Sequence, residues 1–372
     1  MRIGVPKEIK VHEYRVGLTP ESVAEIVTQK HSVVVETAAG TGIGCSDDDY
    51  KAAGATVVAS AQEVFAEAEL IVKVKEPEPA ERRLLNGNHV LFTYLHLAPF
   101  PDLTMDLLNS GAVCIAYETI TDAHGHLPLL APMSQVAGRM AIQAGAYSLE
   151  KAHGGRGILF GRVPGVRPAR VTVIGGGVVG ESAVETAIGL GADVMVLDND
   201  LDVLERLAKR FGWGLRTVKA NRSAVASCVA ESDLVIGAVL VKGASAPKVV
   251  TREMVASMRP GSVVVDVAID QGGCFETSRP TTHADPTYVE EGVVHHCVVN
   301  MAGAVPWTAT YALNNATLPY ILQIADQGYR AALLSSPYFL SGLNIHHGCL
   351  TEPSVAREQK LAYIPPEHTL AR

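Results

Sequence analysis

The sequence has no apolar run long enough to cross a bilayer. Runs such as residues 234–241 are far shorter than the ~20 residues that a spanning helix needs. The opening stretch, MRIGVPKEIKVHEYR, carries charges where a secretion signal requires an apolar core. We therefore expect a cytoplasmic protein with no membrane partner.

Spacings typical of metal and hydrolase sites are also absent. The six cysteines are scattered, with no C-x-x-C pair and no zinc spacing, so we expect reduced thiols that serve mainly in packing. The pairs His295-His296 and His346-His347 have no H-E-x-x-H helix beside them, and adjacent histidines on a strand point to opposite faces. We predict no metal. The sequence also contains no G-x-x-x-x-G-K-[ST] motif, no G-x-S-x-G motif and no repeat of solenoid period.

Positive charge is scarce as well. The formal net charge is -8, and Lys and Arg form no cluster of the kind that binds a phosphate backbone, which disfavours nucleic acid as a partner. Apolar residues make up 48% of the chain and charged residues 19%, which is typical of a globular protein. A length of 372 residues favours about two domains.

Short apolar segments alternate with helical ones along the chain, which predicts an α/β protein with largely parallel, two-sided buried sheets. Thr19 and Pro20 have the chemistry of a helix start and precede a helix over 22–29. Longer helical patterns cover 133–151 and 307–325, and we interpret them as connections between two lobes. The predicted strands are 2–5, 32–36, 56–58, 70–74, 90–94, 171–174, 194–197, 233–239, 262–267 and 293–299.

A glycine motif stands between a predicted strand and a predicted helix. Gly175, Gly177 and Gly180 have G-x-G-x-x-G spacing, and Asp198 ends the next strand about 20 residues on. The first glycine permits a tight turn, the second lets backbone N–H groups approach a pyrophosphate, and the third allows close helix–strand packing. The carboxylate of Asp198 can accept hydrogen bonds from both ribose hydroxyls, and its negative charge would repel a 2′-phosphate. The motif therefore predicts a dinucleotide site that favours NAD over NADP.

Three polar residues follow predicted strands, where open α/β sheets bind ligands. Lys75 follows 70–74, but it could equally be a solvated lysine, and Lys73 fits the same spacing. His96 follows 90–94 and is either functional or a core histidine. Asp270 follows 262–267 and is either functional or the start of an Asx turn before two glycines.

Over nearly its full length the chain resembles bacterial alanine dehydrogenases. The segments that carry this resemblance are IGVPKEIK, EYRVGLTP, LIVKVKEP, LFTYLHLAP, AYETI, LPLLAPMSQVAGRMA, GGRG, GGGVVG, DLVIGAVLV, VVVDVAIDQGGCFETSRPTTH and ALNNATLPY. The resemblance implies two Rossmann-like doubly wound lobes joined by long inter-lobe helices. It implies a catalytic domain of residues 1–130 with 308–372 and an NAD-binding domain of residues 131–307. It also implies a homo-oligomer, usually a hexamer.

The implied reaction interconverts L-alanine with pyruvate and ammonium, with hydride transfer to NAD. By resemblance, Arg15 binds the substrate carboxylate and Lys75 binds the carbonyl oxygen. His96 is implied as the acid/base and Asp270 as its catalytic partner. An Arg offers a planar fork of donors for a carboxylate, and an imidazole can both take and return a proton near neutral pH.

The resemblance also implies a cofactor set beyond the glycines and Asp198. Two features depart from the family pattern: Ala302 stands where many members have proline, and Gln323 and Gln327 stand where some members have metal-capable residues. The first is expected to loosen the loop near the nicotinamide, and the second supports the prediction of no metal. The added cofactor residues are Ser134, Val178, Val239, Leu240, Val267, Asp270, Arg279, Asn300 and Met301.

Two other functions remain open at this point. The chain could be the nucleotide-binding part of a proton-pumping transhydrogenase, although it lacks membrane segments and has all four reactive groups. It could also be a catalytically silent NAD-binding protein, which would bind dinucleotide without alanine-dependent NADH formation.

Overall fold

A computed structural model describes residues 1–239 and 246–371. The chain divides into two compact units, Met1–Met133 with Val305–Arg372 and Ser134–Ala304. The strands are β1 (Arg2–Val5), β2 (Ser32–Glu36), β3 (Thr56–Val58), β4 (Leu70–Val72), β5 (Val90–Thr93), β6 (Val113–Ala116), β7 (Arg170–Ile174), β8 (Asp193–Asp198), β9 (Leu215–Lys219), β10 (Leu234–Gly237), β11 (Val263–Asp266), β12 (Thr287–Glu290), β13 (Val293–His296), β14 (Leu343–His346) and β15 (Cys349–Leu350).

Helices connect most of these strands. They are α1 (Pro20–Thr28), α2 (Asp47–Ala52), α3 (Ala61–Glu67), α4 (Pro79–Arg82), α5 (Pro101–Ser110), α6 (Ala131–Ser148), α7 (Val178–Gly189), α8 (Leu201–Phe211), α9 (Arg222–Glu231), α10 (Arg252–Ala256), α11 (Pro306–Gln327), α12 (Tyr329–Leu334), α13 (Pro337–Leu340), α14 (Pro353–Gln359) and α15 (Pro366–Leu370). Short 3₁₀ helices cover Thr41–Ile43, Tyr117–Thr119, Lys151–His153, Gly212–Gly214, Val267–Gln271 and Met301–Ala304. No helix within the described ranges is both long and apolar enough to cross a membrane.

The first unit is built on a sheet of order β15-β14-β6-β5-β4-β1-β2-β3. Its six strands from β3 to β6 are parallel and run in the order 3-2-1-4-5-6, which is the doubly wound arrangement. The antiparallel pair β14 and β15 extends the sheet beyond β6.

The second unit repeats this arrangement. Its sheet has the order β12-β13-β11-β10-β7-β8-β9, and all of its strands are parallel except β12. Side chains of β10 and β11 alternate between two apolar clusters. Leu234 and Ile236 belong to one cluster and Val235 to the other, so both faces of the sheet are buried. The predicted class, α/β with two Rossmann-like doubly wound lobes, is confirmed.

Local sequence chemistry explains several element boundaries. The side chain of Thr19 accepts a hydrogen bond from the N–H of Ser22, and Pro20 occupies the first turn of α1, as predicted. Strand ends are less well predicted. The strand expected over 293–299 ends at His296, the one over 70–74 ends at Val72 and the one over 233–239 spans only Leu234–Gly237.

Candidate active site

The carboxyl ends of β1, β4, β5 and β6 lie side by side in the first unit. Register pairs Ile71 with Leu91 and Thr93 with Ala116, so these strands end at the same edge of the sheet. The segment containing Arg15 follows β1, and Gly17 approaches the end of β4 so closely that an added Cβ would lie 2.4 Å from the carbonyl oxygen of Val72. The segments after these four strands carry the basic residues singled out from the sequence and the carboxylates that hold them.

Arg15 is buried, with 2% of its surface exposed. Glu13 accepts hydrogen bonds from its Nε at 2.7 Å and its Nη2 at 2.6 Å, and Met133 Sδ lies 3.0 Å from its Nη1. Burial alone would lower the pKa of Arg15, but the hydrogen bonds and charge of Glu13 outweigh burial and raise it. The guanidinium is therefore a fixed positive charge.

The structure separates the two candidate lysines. Lys73 is fully buried, and its Nζ donates to Glu81 at 2.7 Å and to Glu8 at 3.1 Å. Burial opposes its charge, but attraction by both carboxylates raises the pKa of Lys73. Lys75 is only partly buried, and its backbone N–H donates to Glu8 Oε1 at 3.3 Å. Lys73 thus forms buried structural ion pairs with Glu8 and Glu81. Lys75 remains the candidate for substrate binding.

His96 is not a core histidine, because 39% of its side chain is exposed. It follows β5 in a left-handed conformation with φ 47°. Its ring stacks on that of Tyr94, with centroids 5.7 Å apart and planes 5° apart. The carboxylate of Glu118 accepts a hydrogen bond from its backbone N–H at 2.6 Å. The imidazole is accessible, and both its backbone and one ring face are held.

In the second unit, the three motif glycines meet three different constraints. Gly175 has φ 100°, and a Cβ there would lie 2.5 Å from the carbonyl oxygen of Ala238. A Cβ at Gly180 would lie 1.8 Å from the carbonyl oxygen of Gly175. A Cβ at Gly177 would meet no protein atom within 4 Å, so packing does not require glycine there. A pyrophosphate at the N-terminus of α7 would require glycine at position 177, because a side chain would block its approach. The turn between β7 and α7 therefore fits a dinucleotide.

Asp198 lies at the end of β8 beside this turn. Its Oδ2 accepts from the N–H of Gly176 at 2.6 Å, and its Oδ1 accepts from the N–H of Asp200 at 2.9 Å. An arginine distant in sequence also reaches the turn, since Arg206 Nη2 donates to the carbonyl oxygen of Gly176 at 3.1 Å. Arg206 forms an ion pair with Glu181. The sequence shows no cation immediately after Asp198, but the fold brings one close.

Asp270 lies in the 3₁₀ helix that follows β11, and it is exposed. Its Oδ1 accepts from the N–H of Asn300 at 3.1 Å, and Asn300 has φ 59°. The N–H of Gly272 donates to the carbonyl oxygen of Ile269 rather than to the Asp270 carboxylate, so the Asx turn is not formed. The structure therefore joins the Asp270 loop to the loop after β13.

Most other cofactor residues implied by resemblance follow the aligned ends of the parallel strands of this unit. Val239 follows β10 next to Gly175, Val267 follows β11, and buried Met301 follows β13. Arg279 lies apart from the strand ends in sequence, with its guanidinium 3.9 Å from the centroid of the Tyr288 ring. Ser134 lies on α6, Val178 begins α7, Ala302 is buried in the 3₁₀ helix after Asn300, and Leu240 falls outside the described residues.

Sequence reasoning missed the residues that hold the candidate groups. Glu8, Glu13 and Glu118 each accept backbone N–H bonds beside a candidate basic residue. Lys248 Nζ donates to the carbonyl oxygens of Gly272, Gly273 and Phe275 and so fixes the loop that carries Asp270. Glu13 could have been predicted because it is a carboxylate within a few residues of Arg15. No sequence pattern indicated Glu118 or Lys248.

The histidine pairs have other partners. His295 is buried, with Nε2 2.7 Å from Thr277 Oγ1 and Nδ1 2.9 Å from the carbonyl oxygen of Val293. His346 and His347 lie near the hydroxyl of Tyr329. Among residues 1–239 and 246–371, no group of three or more His, Cys, Asp or Glu side chains is arranged to hold a metal ion.

Two family models match the chain. Residues 4–137 match "Alanine dehydrogenase/PNT, N-terminal domain", and residues 141–353 match "Alanine dehydrogenase/PNT, C-terminal domain". An alanine dehydrogenase from Halomonas elongata is 59% identical over 364 residues, which covers 98% of both chains.

Solved structures show the same similarity. One described as an L-alanine dehydrogenase has a TM-score of 0.93 and 50% identity, and covers 97% of this chain and 99% of its own. A transhydrogenase from Sinorhizobium meliloti has a TM-score of 0.81 and 26% identity, and covers 95% of this chain and 100% of its own.

Proposed function

The chain belongs to the alanine dehydrogenase/PNT family, and from this we propose that it converts L-alanine reversibly into pyruvate and ammonium with NAD as hydride acceptor. The observation that carries the proposal is full-length identity of 59% to an alanine dehydrogenase. The placement of Arg15, Lys75 and His96 at one sheet edge of the first unit supports it.

In the proposed reaction, residues of the first unit handle the substrate. Arg15 binds the substrate carboxylate, and Glu13 orients its guanidinium by accepting hydrogen bonds from Nε and Nη2. Lys75 stabilises negative charge that develops on the carbonyl oxygen of pyruvate. His96 takes a proton from the water that attacks the imine and returns a proton to the departing amine.

Residues of the second unit bind the cofactor. When bound, NAD would supply the acceptor for the hydride that leaves the α-carbon of alanine. The N-terminus of α7 and Gly177 would hold the pyrophosphate, and Asp198 would accept hydrogen bonds from the ribose hydroxyls and disfavour a 2′-phosphate. Asp270 completes the proposed catalytic set, and its link to Asn300 holds its carboxylate in place. No metal takes part in this proposal.

The alternative of a transhydrogenase component has less support. The transhydrogenase structure is 26% identical to this chain, whereas the alanine dehydrogenase structure is 50% identical. A silent NAD-binding protein would not need Arg15, Lys75 and His96 at one edge. By family resemblance we also propose a homohexamer in the cytoplasm, and the mass of the purified protein by light scattering tests the oligomer.

The test is the appearance of NADH absorbance when purified protein is mixed with NAD and L-alanine. We expect activity with NAD and little with NADP. His96→Ala and Asp270→Asn should each lower kcat at least about 100-fold with nearly unchanged NADH affinity, because acid–base groups act mainly in the transition state.

Undiminished turnover in either variant would remove the role given to that residue. Dinucleotide binding without any alanine-dependent NADH in the wild-type protein would instead favour the silent binding protein.

A further inference from the structure

The backbone at His96 is in a conformation that a non-glycine residue seldom adopts. Its φ of 47° places it in the left-handed region, which costs about 1 kcal/mol or more for a residue with a side chain. Such a conformation persists only when neighbouring groups hold it. The hydrogen bonds of the backbone at residues 95 and 96 therefore help to set the direction of the His96 imidazole.

One carboxylate holds this backbone. Glu118 Oε1 accepts from the N–H of Leu95 at 3.1 Å and from the N–H of His96 at 2.6 Å. The same oxygen lies 3.8 Å from His96 Nδ1. Glu118 belongs to the 3₁₀ helix that follows β6, the strand next to β5, and only 14% of its side chain is exposed. Two successive N–H groups thus converge on one shielded acceptor.

Tyr94 holds the ring of His96 on another side. The two rings are stacked, and the Tyr94 hydroxyl donates to the carbonyl oxygen of Leu129 at 2.5 Å. Burial raises the pKa of Tyr94, so the hydroxyl keeps its proton and this bond. Tyr117, the residue before Glu118, packs edge-on against Tyr94 at a centroid distance of 5.0 Å. Residues 117 and 118 therefore support both the ring and the backbone of His96.

We propose that Glu118 is a positioning residue for the reaction, which acts through His96 by fixing its backbone and presenting the imidazole to the substrate. This inference rests on the acid–base role proposed for His96. It differs from a purely structural role, in which the carboxylate would stabilise the loop without affecting proton transfer.

A double-mutant cycle tests the inference on the full-length enzyme. Glu118→Ala should lower kcat about 10- to 100-fold, with KM for L-alanine and NADH affinity changed less than about threefold. Glu118→Gln should fall between wild type and Glu118→Ala, because an amide oxygen still accepts N–H bonds. In a His96→Ala background, Glu118→Ala should change the residual kcat less than about threefold, because the residue it acts through is gone. Single-turnover measurements with enzyme in excess detect this residual rate.

A matched control is Glu63→Ala, which removes another backbone-binding carboxylate of the same unit. Glu63 Oε2 accepts from the N–H of Ala59 at 2.8 Å before α3. This variant should keep kcat within about twofold of wild type.

Two results would overturn the inference: equal loss of kcat from Glu118→Ala in both backgrounds, or no loss in the wild-type background. If circular dichroism shows that Glu118→Ala is unfolded, the same cycle is run with Glu118→Gln. A wild-type protein without alanine-dependent activity would reject the proposed function itself, whereas an active wild type with an indifferent Glu118→Ala would reject only the positioning role.

Discussion

Glycine serves different purposes at different positions of the turn after β7. At Gly180 the reason is internal, because the carbonyl oxygen of Gly175 occupies the space that a side chain would take. At Gly177 no protein atom lies within 4 Å of an added Cβ. Two residues of one motif are therefore expected to respond differently to the same substitution.

Substitution of each glycine by alanine separates packing from ligand binding. Gly180→Ala should lower the free energy of unfolding by about 1–3 kcal/mol, because the helix must move away from the strand. Gly177→Ala should leave stability within about 0.5 kcal/mol and weaken NADH binding about tenfold or more, because a methyl group would occupy the approach to the pyrophosphate. Urea denaturation and NADH fluorescence titration measure the two effects. Tight NADH binding by Gly177→Ala would contradict the placement of the pyrophosphate.

The two lysines that follow β4 also differ in role. Lys73 neutralises Glu8 and Glu81 inside the first unit, and burial raises the pKa of Glu8. Lys73→Met should therefore cost about 3–5 kcal/mol of stability, because two buried carboxylates lose their cation.

Lys75→Met is the matched substitution, since it removes the same charge two residues away. It should change stability by less than about 1 kcal/mol and abolish most of the alanine-dependent activity. Thermal denaturation and the NADH assay decide between the two lysines. If Lys73→Met were stable and inactive while Lys75→Met stayed active, the roles would be reversed.

At the scale of elements, the antiparallel strand β14 introduces a pH-sensitive group. His346 ends this strand and is buried, with Nε2 3.2 Å from the Tyr329 hydroxyl. Burial, with repulsion from His347 and Arg330, lowers the pKa of His346 to about 4. Folding therefore favours the neutral imidazole.

This group should make the protein less stable in mild acid. Above the unfolded pKa of about 6.5 the imidazole is neutral in both states and contributes no pH dependence. Below it the unfolded state binds a proton that the folded state does not bind until pH falls to about 4. We expect a loss of roughly 1 kcal/mol from this residue between pH 7 and pH 5, allowing for solvent screening. Urea midpoints should fall less over this range for His346→Gln than for wild type, and an equal fall would contradict the lowered pKa.

At the scale of the whole molecule, two units share the strand order 3-2-1-4-5-6 but present different groups. The first unit carries Arg15, Lys75 and His96, and the second carries the glycine turn and Asp270. In the proposed function, substrate binding and dinucleotide binding therefore belong to separate units. Neither unit alone contains the complete proposed set.

A fragment tests this division. Residues 131–305 include all of α6 and the second unit and should fold and bind NADH. They should show no alanine-dependent NADH formation, because the substrate groups are missing. NADH fluorescence and the activity assay measure both properties. Failure of a folded fragment to bind NADH would show that the dinucleotide site needs the first unit.

Local sequence determined the features that depend on near neighbours. The α/β class, the glycine turn, the cap of α1 and the strand 32–36 follow from patterns within about ten residues. Strand ends were less certain, because an apolar run such as 293–299 continues after its hydrogen-bonded partners end, and β13 stops at His296. The roles of Arg15 and most cofactor residues came from resemblance, not from spacing.

Only the tertiary structure decided which of two similar residues is engaged within the fold. By spacing alone, Lys73 and Lys75 are equally good candidates for substrate binding. The structure distinguishes them because Lys73 forms buried ion pairs with Glu8 and Glu81. Glu118 in the first unit and Arg206 in the second each contact a segment distant in sequence, because the parallel strands of each sheet bring such segments together. The periodicity of a helix or strand predicts which face of that element a side chain lies on. The residues that the side chain contacts depend on the order of the strands in the sheet, and that order is decided by the packing of the whole chain.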